Sequence, residues 1–498
     1  MKYSGPAAAV WLLASSAYAQ EASAPRPSIN QPRDWAQTLR DDAQAVHAAL
    51  IDSHPGAHDT LNPDFRKQVD AGLARALQRA DQTTDAGGWW WALREYIASF
   101  NDGHVSIMMK DQGFQFQTRW PGFLTRFIGD DQRVAATREG DTSVPPLGAR
   151  LIDCDGVPAD ELAARRIGQF RGRWFLKAMH VRLGSWLFQD AQNPWIASPT
   201  TCRFQVDGSP RDYALEWQVG DDELNDQLSR LQPAAGDFGV KKLQDGGFWI
   251  STPSFDGSPQ GTSYPKLTSV LEGMQAEQAT LRTAPYVVLD LRNNGGGSSH
   301  WSRQMANILW GEPWLEVHKM KSSDGVDWRA SKANWSALDA FAADLRGAQA
   351  NPEVLGYLDT MVRGMRTAQE AGEIYWREDL GIERETADAV VTDPVQQVAG
   401  KVYVLTDSMC ACACLDAVDV WKAAGATQIG RETAADTVYM DTRLEDLPSG
   451  LVQMAVPMKV YRGRGRGNNE PHQPQHVLPV EIMDDAALQG AVRELQGN

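Results

Sequence analysis

Apolar side chains recur with three different spacings along the chain. From Asp34 to about Ala98 they return every three or four positions, in "WAQTLRDDAQAVHAALIDSHPGAH", "PDFRKQVDAGLARALQRA" and "GGWWWALREYIASF", which predicts amphipathic helices. Asp85 is placed to cap the last of these, and Trp89, Trp90 and Trp91 read as core and interface packing rather than a ligand cage. From about Phe114 to Val219 the pattern shortens to alternating runs bounded by turn residues, such as "QFQTRWPGF" and "TCRFQVDGSPRDYALEWQV". From about Leu224 strands alternate with helices: "GGFWISTPSF", a helix around Tyr264 to Leu281, "YVVLDL", a helix after Gly297, "KVYVLT", and a helix from about Ala413 to Ala424. That alternation predicts an α/β layer architecture. A Trp-bearing, mostly helical insertion at about 314–394 interrupts it and reads as a cap over one end of the sheet. The expected organisation is a helical domain over 34–112, a β-rich domain over 113–223 and an α/β domain over 224–498.

The ends and the charge narrow the setting. "MKYSGPAAAVWLLASSAYAQ" has one lysine, a short apolar run and Ala17-Tyr-Ala19 before Gln20, the form of a secretory leader over 1–19. Export follows as the expectation, into the periplasm if the host is a diderm bacterium. No other stretch approaches roughly 18 apolar residues, so no stable membrane anchor is expected. A net charge of -16 argues against nucleic acid as partner. The one basic tract, "YRGRGRGNNE" (Tyr461 to Glu470), reads as a solvated or substrate-facing loop.

Two stretches carry candidate chemistry. In "APYVVLDLRNNGGGSSHW" a buried strand runs into three glycines ahead of a helix, where backbone amides can face an anion or oxyanion. The glycine spacing fits neither a dinucleotide fingerprint nor a P-loop. In "SMCACACLDAVDVW" three of the chain's 5 cysteines occupy alternate positions before a helix. Metal binding, redox chemistry, packing and nucleophilic catalysis are all open to such a trio.

"VVLDLRNNGGG" resembles the signature of the C-terminal-processing (tail-specific) serine peptidases, which include the tricorn core protease. The resemblance spans most of the chain after the leader. "SHPGAHDTLNPDF" is similar to the helical N-terminal segment of shorter bacterial relatives, and "GARLIDCDGVPADEL" to part of their PDZ-like domain. "KVYVLTDSMCACACLDAVDVWKAAGATQIGRET" is similar to the nucleophile segment. The resemblance implies a crotonase-like β/α catalytic domain, with the helical and PDZ-like domains ahead of it. It places Cys412 at the nucleophile, where relatives carry serine, and a helix N-terminus there would favour a thiolate. Asp436 stands where one branch has its catalytic lysine. "SFNDGHVSI" instead matches the histidine element of the tricorn-like branch, which makes His104 the general base. Gly103 replaces a serine of that branch. Glu470 is the implied orienting acid, with Asp102 and Asp436 as competitors, and the oxyanion amides are those of Gly295, with Gly296 as alternative, and Ala413.

For the other cysteines, Cys154 and Cys202 are candidates to pair with each other. A bond between Cys410 and Cys414 across one helical turn looks awkward, and both read as small buried packing residues. The leading function is therefore an exported endopeptidase or tail-specific peptidase acting on polypeptide through an acyl-enzyme, with no cofactor or metal. An inactive peptide-binding relative is the second reading, and a copper or zinc carrier using the cysteine trio is the third.

Overall fold

The computed structural model describes residues 28–111, 113–231, 236–258, 261–319, 323–347, 351–378 and 394–497. The leader 1–19 and positions 379–393 of the insertion lie outside the described residues. The chain divides into two compact units, Ala19–Pro233 with Thr442–Pro457, and Ala234–Asp441 with Met458–Asn498. The helical and β-rich segments thus share one unit.

In the first unit, α1 (Trp35–Ser53), α2 (Phe65–Ala80) and α3 (Ala86–Ala98) pack their apolar stripes together around Leu39, Val46, Val69, Trp89 and Tyr96. Asp34 and Asp85 cap α1 and α3, their carboxylates accepting from the amides of Gln37 and Gly88. Trp89 is fully buried and donates to Asp42 at 2.9 Å, and Trp91 donates to the Ala191 carbonyl. The tryptophans are packing residues, as the helical spacing implies. β1 (Ser106–Met109) follows and pairs antiparallel with residues 452–455. Next comes an antiparallel sheet of β2 (Phe123–Ile128), β3 (Asp131–Thr137), β4 (Arg150–Cys154), β5 (Thr201–Val206) and β6 (Ser209–Ala214), in that order. Cys154 and Cys202 face each other on β4 and β5, 4.0 Å apart at Cα, and form a disulfide.

The second unit is built on a six-stranded sheet in the order β7 (Gly239–Lys242), β8 (Phe248–Ser251), β9 (Tyr286–Asp290), β10 (Lys401–Thr406), β11 (Thr427–Gly430) and β12 (His476–Val477). β7 is antiparallel to β8, and the remaining pairs are parallel. Every residue of β9 is buried, as expected for a central parallel strand covered on both faces. Val287 and Leu289 pack with α4 (Ser263–Ala276), α5 (His300–Trp310) and α6 (Ala413–Ala423). Tyr286 and Val288 pack with Leu488 and Val492 of the C-terminal helix.

The insertion holds the helices Lys332–Gly347 and Pro352–Glu370, and also two strands the helical reading missed, Gly325–Arg329 and Tyr375–Glu378. These pair with each other, and the first also pairs with residues 459–462. Their four or five residues are too short to stand out beside two long helices. The fold class is the predicted one: mixed α/β, with a helical N-terminal region and β-rich sheets.

Candidate active site

The glycine signature and the nucleophile segment leave adjacent parallel strands, β9 and β10, at the same end of the sheet. Most residues between Asp290 and Gly297 have a traceable task. Arg292 ion-pairs with Asp290 at 2.6 Å and Asp485 at 2.8 Å, anchoring the strand exit to the C-terminal helix. Asn293 adopts φ 61° and donates its amide to Asp407 at 2.9 Å. Asn294 is fully buried; its side-chain amide donates to the Thr252 carbonyl, its side-chain oxygen accepts from the Gly296 amide at 2.9 Å, and its carbonyl accepts from Ala411. Gly296 and Gly297 have φ of 105° and 131°, a region open to glycine at little cost. A Cβ on Gly296 would stand 2.6 Å from the Cys412 Cβ, and one on Gly297 would stand 2.1 Å from the Phe255 carbonyl oxygen. Nothing lies within 4 Å of a Cβ on Gly295.

Facing this turn, β10 ends in Asp407-Ser408-Met409 and the cysteine trio. Asp407 accepts from the amides of Asn293 and Met409, so one carboxylate ties both turns together. Burial lifts its pKa to about 6 against the pull of those amides. Cys412 caps α6 at φ 58°, ψ -125°, a conformation that non-glycine residues rarely hold without a functional constraint. The backbone amides of Gly297 and Ala413 lie near enough to its sulfur to pull the thiol pKa down.

The flanking cysteines differ from expectation: Cys410 and Cys414 form a disulfide, 5.3 Å apart at Cα. The reading as separate packing residues fails because the five positions are not a helical turn. α6 begins at Ala413, and the left-handed step at Cys412 bends the backbone ahead of it so that the two side chains meet. Cys412 is left as the free thiol. With two of three sulfurs bonded to each other, the ligand set of the copper or zinc reading is gone. Among the described residues, no group of three or more His, Cys, Asp or Glu could hold a metal ion.

The Cys412 thiol does not match the thiolate expected at a helix start. Burial, and then the carboxylates of Asp436 and Asp416, push its pKa up to about 12, outweighing the two amides. The basic tract accounts for those carboxylates. Arg466, only 4% exposed, pairs with Asp416 at 3.2 Å, Asp436 at 3.4 Å and also with Asp419, so it is a buried counter-ion rather than a solvated loop residue. Glu470, the implied orienting acid, is exposed and its carboxylate accepts from the Gly467 amide at 2.7 Å within its own loop.

His104 lies in the first unit, in the loop between α3 and β1. Asp102 folds back on it, its Oδ1 accepting from the His104 amide at 2.8 Å and standing 3.6 Å from the ring Nδ1. On the far side, Asp102 Oδ2 is 3.9 Å from Nε2 of His54. His54 was not singled out from the sequence. It is fully buried, stacks on Phe65 and accepts from the Gly56 amide through Nδ1 at 2.9 Å, so the neutral ring carries its proton on Nε2, toward Asp102. Burial lowers the His54 pKa to about 4. The neighbouring imidazoles hold the Asp102 carboxyl below its ordinary value despite burial, which alone would raise it.

Comparison with known proteins shows what the segment around this site is similar to. Residues 249–471, from β8 past the basic tract, match the model of Peptidase family S41. That match covers a little under half of the chain. Solved structures share the fold over most of the chain, two of them of CPAF. Mature CPAF complexed with lactacystin aligns over 93% of this chain and 98% of its own with a TM-score of 0.60 at 13% identity. Mature CPAF alone aligns over 93% and 97% with the same TM-score at 12% identity. No curated protein sequence matches the chain. The S41 segment contains Gly295, Cys412, Ala413, Asp436 and Glu470, whereas Asp102 and His104 lie outside it. The match to S41 supports a peptidase hydrolase.

Proposed function

We propose that the protein is an exported peptidase that cleaves unfolded or C-terminal polypeptide segments through an acyl-enzyme on Cys412. One observation carries the reading: Cys412 stands at a left-handed strand-to-helix turn with its sulfur against the glycine turn, where a Cβ on Gly296 would come within 2.8 Å of it. A nucleophile and its oxyanion donors need this arrangement, because the backbone amides there meet the charge that develops on the substrate carbonyl. The Gly296 amide is engaged by Asn294, which leaves Gly295 or Gly297 to act with Ala413.

Because burial keeps the thiol protonated near neutral pH, attack requires a base. His104 takes that role, with Asp102 orienting its ring; pairing it with Cys412 rests on the resemblance to tricorn-like peptidases. The sulfur bonds to the scissile carbonyl carbon as the proton passes to the imidazole. Collapse of the tetrahedral intermediate expels the amine, which takes the proton back, and water then hydrolyses the thioester. The leader-like 1–19 segment and two disulfides support export to an oxidising compartment.

The raised thiol pKa equally favours the second reading, an inactive peptide-binding relative, and one experiment separates the two. Fluorescent casein is incubated with wild type and with Cys412→Ala, and acid-quenched samples are weighed for a thioester adduct. The peptidase reading expects cleavage by wild type and a loss on the order of 10³-fold or more in the variant. Equal rates would sink the mechanism, and intact casein with both proteins would leave the binder.

A further inference from the structure

Beside the histidine loop, and wholly within the first unit, lies a cavity of about 150 Å³ lined by Arg94, Arg171 and Arg173 together with Asn101, Asp102 and Gly103. Arg94 projects from α3. Arg171 is stacked between aromatic faces, with its guanidinium carbon 3.5 Å from the Trp186 ring centroid and 5.5 Å from that of Trp91. Stacking covers the faces of that guanidinium and leaves its N–H edge to hydrogen-bond.

Arg173 is placed by an unusual stretch of backbone. Gly172 and Arg173 have φ of 74° and 52°, and the Arg173 amide donates to the side chain of Asn101, itself at φ 51°. A Cβ on Gly172 would stand 2.9 Å from the Ala98 carbonyl oxygen, and one on Gly103 would stand 2.9 Å from the Arg173 guanidinium. Glycine at both positions lets that side chain lie against the Asp102-Gly103-His104 backbone.

Among the described residues no carboxylate is ion-paired with Arg94 or Arg171; burial lowers the pKa of both, and the Arg94 charge lowers that of Arg171 further. The one acidic lining residue, Asp102, is turned to His54 and His104. Arg94 and Arg171 are half-buried, and an arriving anion gains charge-assisted, two-point hydrogen bonds from their guanidinium groups.

We propose that Arg94, Arg171 and Arg173 form an oxyanion-binding site that accepts a carboxylate of the polypeptide substrate. The substrate half of this assignment rests on the peptidase reading; the anion site itself does not. It gives a protein of net charge -16 a local preference for acidic chain, next to the residue read as its base.

The test uses full-length Cys412→Ala, so that binding is read without cleavage. Fluorescent peptides that differ only as Glu or Gln, each with a free or an amidated C-terminus, are titrated by anisotropy against this protein and against the same protein carrying Arg94→Gln or Arg173→Gln. The expected result is about tenfold tighter binding of the carboxylate-bearing peptide, falling to within about twofold in both arginine variants. The Glu/Gln and acid/amide pairs identify whether the side chain or the chain end supplies the group. Absence of any charge preference, or a preference unchanged in both variants, overturns the proposal. Melting temperatures without peptide serve as control, since a purely structural arginine lowers them and leaves the preference intact. Inorganic phosphate is the second probe: competition with the acidic peptide supports the site. Arginine-dependent stabilisation by phosphate with no peptide preference assigns the site to a free anion and overturns the substrate half. Casein left intact by wild type, with the peptide preference present, refutes the catalytic reading and leaves the anion site standing.

Discussion

The turn that carries Cys412 and the loop that carries His104 are fixed by different kinds of bond. Around Cys412 the restraints are covalent or backbone-borne: the 410–414 disulfide, glycines at positive φ, and amides shared with Asn294 and Asp407. Around His104 they are side-chain groups whose charge depends on pH, with Asp102 held between two imidazoles, one of them fully buried. The first region should therefore fail with steric substitution or reductant, and the second with acid.

Apart from Cys412 itself, the largest effect is expected at Gly297. An added methyl meets the Phe255 carbonyl at 2.1 Å and is held at φ 131°, so Gly297→Ala must displace an amide that now reaches the Cys412 sulfur. Casein hydrolysis should fall by about 10²- to 10³-fold, as for loss of one oxyanion donor. Activity within a few-fold of wild type would show that the displaced amide is not needed.

Acid comes next. The folded pKa of His54, about 4, lies below its unfolded value of about 6.5, so as pH falls the unfolded chain binds the proton first. Stability is complete above about pH 6.5 and is lost toward pH 4, by about 3 kcal/mol in total. Urea unfolding across that window should show this slope in wild type and lack it in His54→Gln. An identical slope in both would remove His54 as the acid-sensitive element.

Opening the small disulfide ranks third. Chain-entropy arguments give about 2 kcal/mol for so short a loop. Cys410→Ser with Cys414→Ser should lower the unfolding free energy by about that amount and reduce casein turnover, while leaving the acid slope of the first unit unchanged. The smallest effect belongs to Gly295→Ala, where nothing meets the new methyl and φ is not positive. Stability should move by less than about 0.5 kcal/mol. Since the substitution keeps the amide, full activity fits a backbone donor at either 295 or 297, whereas a bulky residue at 295 that blocks turnover would place substrate over it.

The sequence made some of these features legible and hid others for physical reasons. β9 could be read because both its faces are buried, which produces an uninterrupted apolar run ending at the glycines. The capping role of Asp85 could be read because its partner is three residues away. The cysteine trio misled because its spacing suggested a helical turn, while the decisive fact was one left-handed residue, Cys412. His54 passed unnoticed because its partner Asp102 belongs to a distant loop. Arg466 looked solvated because its three aspartates lie in other segments. The sequence offered Gly295, with Gly296 as alternative, as the donor, and did not point to Gly297, because which amide turns inward is not written in the letters of a triple glycine.

The pairing of Tyr286 with Lys401 has a consequence for how the protein is made. The glycine turn leaves β9 and the nucleophile turn leaves β10, with the whole insertion between them in the chain. Until that long loop closes, Cys412 has neither the Gly297 amide beside it nor Asp407 tied to Asn293. Such non-local strand pairing comes late in folding. On the peptidase reading, a chain that has not yet closed this loop carries an unassembled centre, and cleavage is expected only after the strands pair.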